Sequence, residues 1–232
     1  MKDIHVTKEA KAFRVFRKQL EAEGWFKRLW VIECLFIAAA FGCAIVGTLI
    51  AGSHPIIASL LIGLAMQQAG WIGHDLGHGR GKLSFYVSLA NGCLINGFSS
   101  NWWSHKHNMH HAFPNRLEYD EDIDLSPVVY LWFPKADADS WHRKYQHIYY
   151  PFAYSLNYVS WRIKSLRFVI GSGENLQRVL IALDYIWLFT LPWRVSVASV
   201  IIGGLLVALV VTQSHQSETI IQPDEAYCFV ND

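Results

Sequence analysis

The sequence predicts an all-α integral membrane protein: four membrane-crossing helices in two hairpins, under a cytosolic helical cap that carries histidine boxes. Three observations predict it. Long apolar runs come in two pairs. Aromatic residues are abundant, with ten Trp, ten Tyr and thirteen Phe in 232 residues, which suits membrane interfaces. Four histidines fall within the single stretch "WWSHKHNMHH" at 102–111.

The expected spans are residues 30–51, 55–72, 179–193 and 195–212. The first is nearly continuous, with Glu33 one turn from its start, and the second and fourth hold no charged residue. Each of these three approaches the ~20 residues that a bilayer core requires. The third is shorter and carries Asp184. An ionisable residue there is costly and often functional, or it snorkels to an end of the span. "GSHP" (52–55) and "PWR" (192–194) break the hairpins. Long helices without a polar face argue against a soluble protein. The first 28 residues are charged rather than apolar, so a cleavable signal is not expected.

Eight Lys and Arg precede the first span, eleven lie between Arg80 and Arg178, and only Arg194 separates the last two spans. The positive-inside rule then places residues 1–28 and the cap, 73–178, in the cytosol. The tail, 219–232, joins them by parity, and residues 29–218 form one membrane domain. With a net charge of +1, nothing suggests a nucleic-acid binder. Cys34, Cys43, Cys93 and Cys228 form no CxxC pair, and no disulfide framework is implied.

The cap is too long to be a simple loop. Within it, residues 83–100 are apolar but interrupted by Asn91, Gly92, Asn96 and Gly97. A crossing there would put "HDLGH" and "HNMHH" on opposite sides, so the segment is read as an interfacial helix. Residues 141–167 mix aromatic and basic side chains, as a segment resting on headgroups or an amphipathic helix packed on the cap would.

His74 and His78 in "HDLGH" stand at i and i+4, on one helix face. His107, His110 and His111 stand at i, i+3 and i+4. His105 falls on another face and is read as a surface residue or one that supports a ligand. Five aligned imidazoles just outside the bilayer on the cytosolic side point to metal binding. They exceed what one tetrahedral zinc takes, so a binuclear site is the natural reading, with iron suited to oxygen chemistry. "HDLGH" also has the outline of the zincin motif HExxH, with Asp75 in place of Glu, but a protease would not need "HNMHH". Trp102 and Trp103 are expected to seat this helix at the membrane surface.

"HDLGH", then "GFSSNWWSHKHNMHHAFPN", then "DEDID" (120–124) resembles the membrane fatty acid desaturases, and most of all the front-end group acting on polyunsaturated acyl chains. The likeness runs from the first span to about Glu218. It implies oxygen-dependent desaturation of a fatty acyl chain, with molecular oxygen as co-substrate and two non-haem iron ions held by histidine. It also implies an acyl-CoA or acyl-lipid substrate and a separate cytochrome-type electron donor with its reductase. The expected setting is the endoplasmic reticulum membrane, with both termini and the boxes cytosolic. Carried over by position, His74 and His78 are ligands of the first box. His107, His110 and His111 are those of the second. His215, in "VTQSHQSE", is a sixth candidate at the end of the last span. Asp75, Asp120, Asp122 and Asp124 are placed to hydrogen-bond ligand histidines and fix their tautomers, or to cap helices.

After "HNMHH" no further box of the form QxxHH or HxxHH, the family's third, occurs in these 232 residues. Either the chain is a fragment, or it is a variant with an incomplete site and low activity. A non-catalytic membrane partner of a desaturase and a lipid hydroxylase of the same di-iron type are the alternatives.

Overall fold

The computed structural model describes residues 8–78, 82–123, 125–132, 134, 139–215 and 220–222, and of Gln213 and His215 only the backbone. The chain divides into two compact units, residues 1–35 and 36–232.

The first unit holds α1 (Lys8–Glu23) and the start of α2 (Trp30–Ile50). α1 is exposed on all sides and carries an i,i+4 ion pair between Arg17 and Glu21. Glu33 does not stand alone in its apolar run, because Arg28 pairs with it at 2.8 Å.

The second unit continues α2 into α3 (Pro55–Gly77) through the turn that "GSHP" announces. α4 (Lys82–Leu89) runs on into a π-helical turn, Ala90–Ile95, and α5 (Ser100–Ala112) follows. A 3-10 turn, Trp141–Tyr145, leads into α6 (Gln146–Ser155), then α7 (Asn157–Ser172), α8 (Asn175–Thr190) and α9 (Trp193–His215). Among the described residues there is no strand, only an isolated bridge between Arg116 and Ile221.

Among the described residues, three helices are long and apolar enough to cross a membrane: α2, α3 and α9 over Trp193–Thr212. α8, where a fourth span was expected, has 16 residues and is about 24 Å long at 1.5 Å per residue. Gly173, left-handed at φ 75°, ends α7 just before it, and Pro192 follows its last turn. Residues 83–100 form no long helix either. The π-helical turn takes up Asn91 and Gly92, and Asn91 Nδ2 donates back to the Val87 carbonyl at 2.8 Å.

Small residues are buried where the helices of this unit meet, and many large apolar ones lie on their outer faces. Ala44, Ala58, Ser59, Ala65, Ala69 and Ser199 are buried. Ile56, Leu60, Leu64, Val197, Leu209 and Phe189 are exposed. A water-soluble bundle shows the opposite pattern, whereas helices in lipid associate through small residues. α3 and α9 approach closely in this way: a Cβ on Gly63 would lie 2.6 Å from Ile202 Cγ2 and 3.1 Å from the Ser199 carbonyl oxygen. Further along, Gly203 meets Met66 and Gly70 meets Val207, so the two helices run in the same direction. α2 is antiparallel to α3, with Gly47 against Ile62 and Ala58. α2 and α8 are joined near their C-terminal ends, where Trp187 Nε1 donates to Thr48 Oγ1 at 2.9 Å.

Asp184 is fully buried on α8 and does not snorkel. Arg162 of α7 meets it at 2.6 Å and is itself 5% exposed. Gly97 makes room for the pair. It sits at φ +63°, and a Cβ there would collide with Arg162 Nη1 and Asp184 Oδ2. Removing one member of a buried ion pair leaves the other charge uncompensated, at about 3–5 kcal/mol. Asp184→Ala and Gly97→Ala are therefore each expected to lower the thermal unfolding midpoint of the purified protein in detergent. Lys164→Ala is the control, because its pairing with Glu121 is exposed. A midpoint unchanged in Asp184→Ala would show that the pair contributes nothing.

Candidate metal centre

The end of α3 and the face of α5 build the site. Helical spacing puts His74 of α3 and His78, which caps the end of α3, one turn apart, with ring centroids 4.9 Å apart. It does the same for His107 and His111 on α5, at 4.4 Å. The two helices then bring the pairs together. His107 Nε2 lies 2.9 Å from His78 Nε2 and 2.9 Å from His111 Nε2. The His74 ring is 4.6 Å from that of His107. One nitrogen each from His74, His78 and His107 falls within 4.8 Å of the others.

What holds α5 there was not visible in the sequence. Ser99 caps the helix, accepting from the Trp102 amide at 3.0 Å. Its hydroxyl donates in turn to Gln177 Oε1 of α8 at 2.7 Å. The same oxygen accepts from the Asn101 amide at 3.3 Å, and Gln177 is 1% exposed. A cap of this kind contributes about 1 kcal/mol, and here it also fixes where the helix starts. Trp103 stacks on His107 at 4.4 Å. Trp102 is buried beside Phe98 and Trp161. Both tryptophans therefore pack into the protein rather than seat α5 on a membrane surface.

His110 turns to a second group. Its Nδ1 donates to Asp120 Oδ2 at 2.8 Å, which places the imidazole lone pair on Nε2. Asp120 is fixed in return: it accepts the Asn115 amide on Oδ2 and the Asp122 amide on Oδ1, each at 2.9 Å. His110, Asp120 and Asp122 together also offer donor atoms within 4.8 Å of one another. Asp122 pairs with Lys106, a cation 4% exposed between two histidine positions of α5 and 5.3 Å from the Trp161 ring. Burial brings the Lys106 ammonium down to about 8, despite the Glu121 and Asp120 carboxylates. Asp75 accepts from His74 Nδ1 at 2.9 Å while remaining mostly exposed. His105 is exposed, away from the cluster. His215 is the last residue of α9, one turn beyond Val211; its side chain, like Asp124 and Cys228, lies outside the described residues.

The donor set fits a metal ion. Two nitrogens bound to one ion at about 2.0–2.1 Å lie about 3 Å apart, which is the Nε2 spacing around His107. Burial pushes His78, His107 and His111 below the usual imidazole value, and neighbouring histidines add to the shift. The rings therefore stay neutral, as ligands must.

An apolar cavity opens at this cluster. His74 and His107 stand in its wall with Gly70, Phe98, Trp161 and Val207.

The profile of the fatty acid desaturase family matches residues 51–216. The chain belongs to this family. Among curated desaturases, the Delta(6)-fatty-acid desaturase fat-3 of Caenorhabditis elegans is 32% identical over 93% of the chain and 56% of its own length. The Delta(5) fatty acid desaturase fat-4 of the same animal is 31% identical over 71% of the chain and 43% of its own length. An acyl-lipid (9-3)-desaturase of Physcomitrium patens is 30% identical, covering 88% and 45%. The chain thus spans about half the length of these front-end desaturases. No solved structure matches it.

Two outcomes test the centre. If His110 binds a metal ion, Asp120→Asn should weaken metal binding about 10–100-fold, as loss of a carboxylate that orients a ligand does, read by metal titration of purified protein. Unchanged affinity would mean that Asp120 only braces the loop. The second concerns acid. The lowered imidazole values mean that the folded state takes up protons later than the unfolded chain, whose histidines titrate at about 6.5. Stability of the metal-free protein should therefore fall as pH drops below about 6.5. In the variant His78→Phe/His107→Phe/His111→Phe this slope should flatten, and a slope that persists would place its source elsewhere.

Proposed function

We propose that this chain carries part of the metal centre of an oxygen-dependent fatty acyl desaturase. One observation carries the reading. Two histidine pairs, 29 residues apart at their nearest members, meet with Nε2 atoms 2.9 Å apart on the wall of an apolar cavity. That cavity lies among helices whose outer faces are apolar.

The direction of the helices supports a four-crossing arrangement. α3 and α9 run the same way, so if both cross a bilayer the chain must return between them. α8 supplies that return, with Leu176, Val179, Leu183, Ile186 and Phe189 exposed on its outer face. Its short length is met by local thinning of the bilayer. The basic residues of the N-terminal and central segments put the histidines on the cytosolic side, in our reading at the endoplasmic reticulum.

In this reading His74, His78, His107, His110 and His111 supply neutral imidazoles, with His215 of α9 as a further ligand. Two iron ions bound here would supply the oxygen activation needed to remove hydrogens from two adjacent, unactivated methylenes. Electrons would come singly from a cytochrome-type donor and its reductase. Asp120 holds the proton of His110 on Nδ1, and Asp75 does the same for His74. Trp103 shields one face of His107 from water. Phe98 and Trp161 line the path of the acyl chain, whose orientation decides which C–H pair meets the metal.

Expression of the complete reading frame in yeast, fed with candidate fatty acids and analysed by gas chromatography, is expected to give a product with one added double bond. His107→Ala should abolish it. A hydroxylated product would identify a hydroxylase instead, and no product with any acid would sink the reading. Purified protein should hold iron, and stoichiometric zinc without iron would overturn the di-iron centre.

A further inference from the structure

Between Lys144 and Lys164 the chain exposes no Asp, Glu, Lys or Arg. Arg162 is the one residue of these types there, and it is buried against Asp184. The segment exposes an apolar stripe instead: Tyr145, Ile148, Phe152, Leu156, Val159 and Ile163. Their spacing of three or four residues is that of one helix face, carried through the break at Leu156 that separates α6 from α7. Other side chains of the same elbow point into the protein. Tyr158 is fully buried and stands with Trp161 in the wall of the cavity at the histidines.

The elbow meets α9 far from its ends. A Cβ on Gly204 would lie 2.8 Å from the Ser155 carbonyl oxygen and 3.2 Å from the Tyr158 amide nitrogen, so the backbone of the elbow rests directly on α9 there. Gly204 stands between Trp193 and Thr212, the ends of the apolar stretch of α9, about 16 Å from the first and about 12 Å from the second at 1.5 Å per residue. That is near the middle of a hydrocarbon core about 30 Å thick. Both arms return to the histidine side. Gln146 of α6 exchanges hydrogen bonds with the Tyr130 backbone, and the Tyr149 hydroxyl donates to the Val128 carbonyl. Lys164 of α7 pairs with Glu121, which lines a small cavity together with Thr212. A turn placed in hydrocarbon must satisfy its own backbone. Beside this break the Leu156 amide donates to the Ala153 carbonyl at 3.2 Å, the Ser160 amide to the Leu156 carbonyl at 3.0 Å, and the Ser155 hydroxyl to the Phe152 carbonyl at 2.7 Å.

We propose that α6 and α7 form a re-entrant hairpin, seated in the leaflet on the histidine side with its apolar stripe against the acyl chains of that leaflet. The elbow is then the wall between the cavity and the surrounding lipid. The inference rests on α9 crossing the bilayer.

Two measurements test it. The unaltered full chain is reconstituted in phosphatidylcholine vesicles with a lipid that carries a diazirine in one acyl chain, and the photolabelled residues are mapped by mass spectrometry. The label should fall on Phe152, Leu156 and Val159 as well as on Val197 and Leu209, outward residues of α9, and should spare the exposed His105. Depth is read with nitroxide labels on Phe152→Cys, Leu156→Cys, Val197→Cys, Leu209→Cys and His105→Cys, each in a chain whose four native cysteines are replaced by alanine. At Phe152 and Leu156, as at the two α9 positions, collisions with a water-soluble nickel complex should be lost while those with oxygen persist. At His105 the nickel collisions should remain. If the cysteine-free chain does not fold, the photolabelling decides. With both α9 positions in lipid, an unlabelled elbow or one open to nickel would overturn the hairpin and leave the crossing standing. An elbow closed to lipid label, nickel and oxygen alike would overturn it too, and would show that a second copy of the chain covers the stripe. If Val197 and Leu209 are themselves open to nickel, α9 does not cross, and this inference falls with that reading.

Discussion

The close approach of α3 and α9 is the constraint on which the rest depends. It is possible because Gly63 leaves no side chain between its own backbone and Ile202. In lipid, apolar burial gives little drive for association, so such contacts must come from packing at short range. Everything that defines the site is hung on this pair. α3 carries His74 and His78 beyond its apolar stretch. α9 contributes Val207 and Val211 to the cavity wall. Tyr158 of α7 is wedged against both, fully buried, with its hydroxyl on the Met66 carbonyl. A bulkier residue at the crossing would spread the pair of helices on which the imidazoles are mounted, about 16 Å along α3 from His74.

The second organising feature is polar. Lys106–Asp122 and the Gln177–Ser99 link join the 113–123 loop and α8 to the segment that ends in α5, and Arg162–Asp184 joins α7 to α8 directly beneath Gly97 of that segment. Buried pairs of this kind are weak evidence for net stability. Their service is geometric: an apolar contact permits sliding, whereas a hydrogen-bonded ion pair has one register. The segment bearing the second histidine pair is therefore fixed by groups far from it in sequence.

That division explains what could be read from the sequence. Helical spacing made the His74–His78 and His107–His111 pairs legible, because i,i+4 neighbours share a face whatever surrounds them. Hydropathy located α2, α3 and α9 for the same local reason. The contacts that the sequence hid are those made between elements. Lys106 looked like one more basic residue, Arg162 like a headgroup anchor, and Asp184 like an isolated charge, because each is explained only by its partner. Trp102 and Trp103 suggested a membrane surface, since composition cannot distinguish an interfacial tryptophan from one stacked on a histidine. The third span expected at residues 179–193 is a helix of 16 residues that starts at Asn175; apolar content marks such a segment without fixing where its ends are capped.

The π-helical turn at Ala90–Ile95 has a consequence for how this molecule tolerates change. A π turn holds one more residue than an α turn over the same span, and it ends here at Asn96, whose amide bonds to the Asn91 carbonyl five residues back. Deleting a single residue from it would restore regular α-helix and rotate all that follows by about 100°. Asn96 would leave the cavity, Gly97 would no longer sit over the Arg162–Asp184 pair, and α5 would turn its histidines away from α3. The segment joining the two histidine pairs thus behaves as a length gauge. Its side chains are open to exchange one at a time, but its residue count is not.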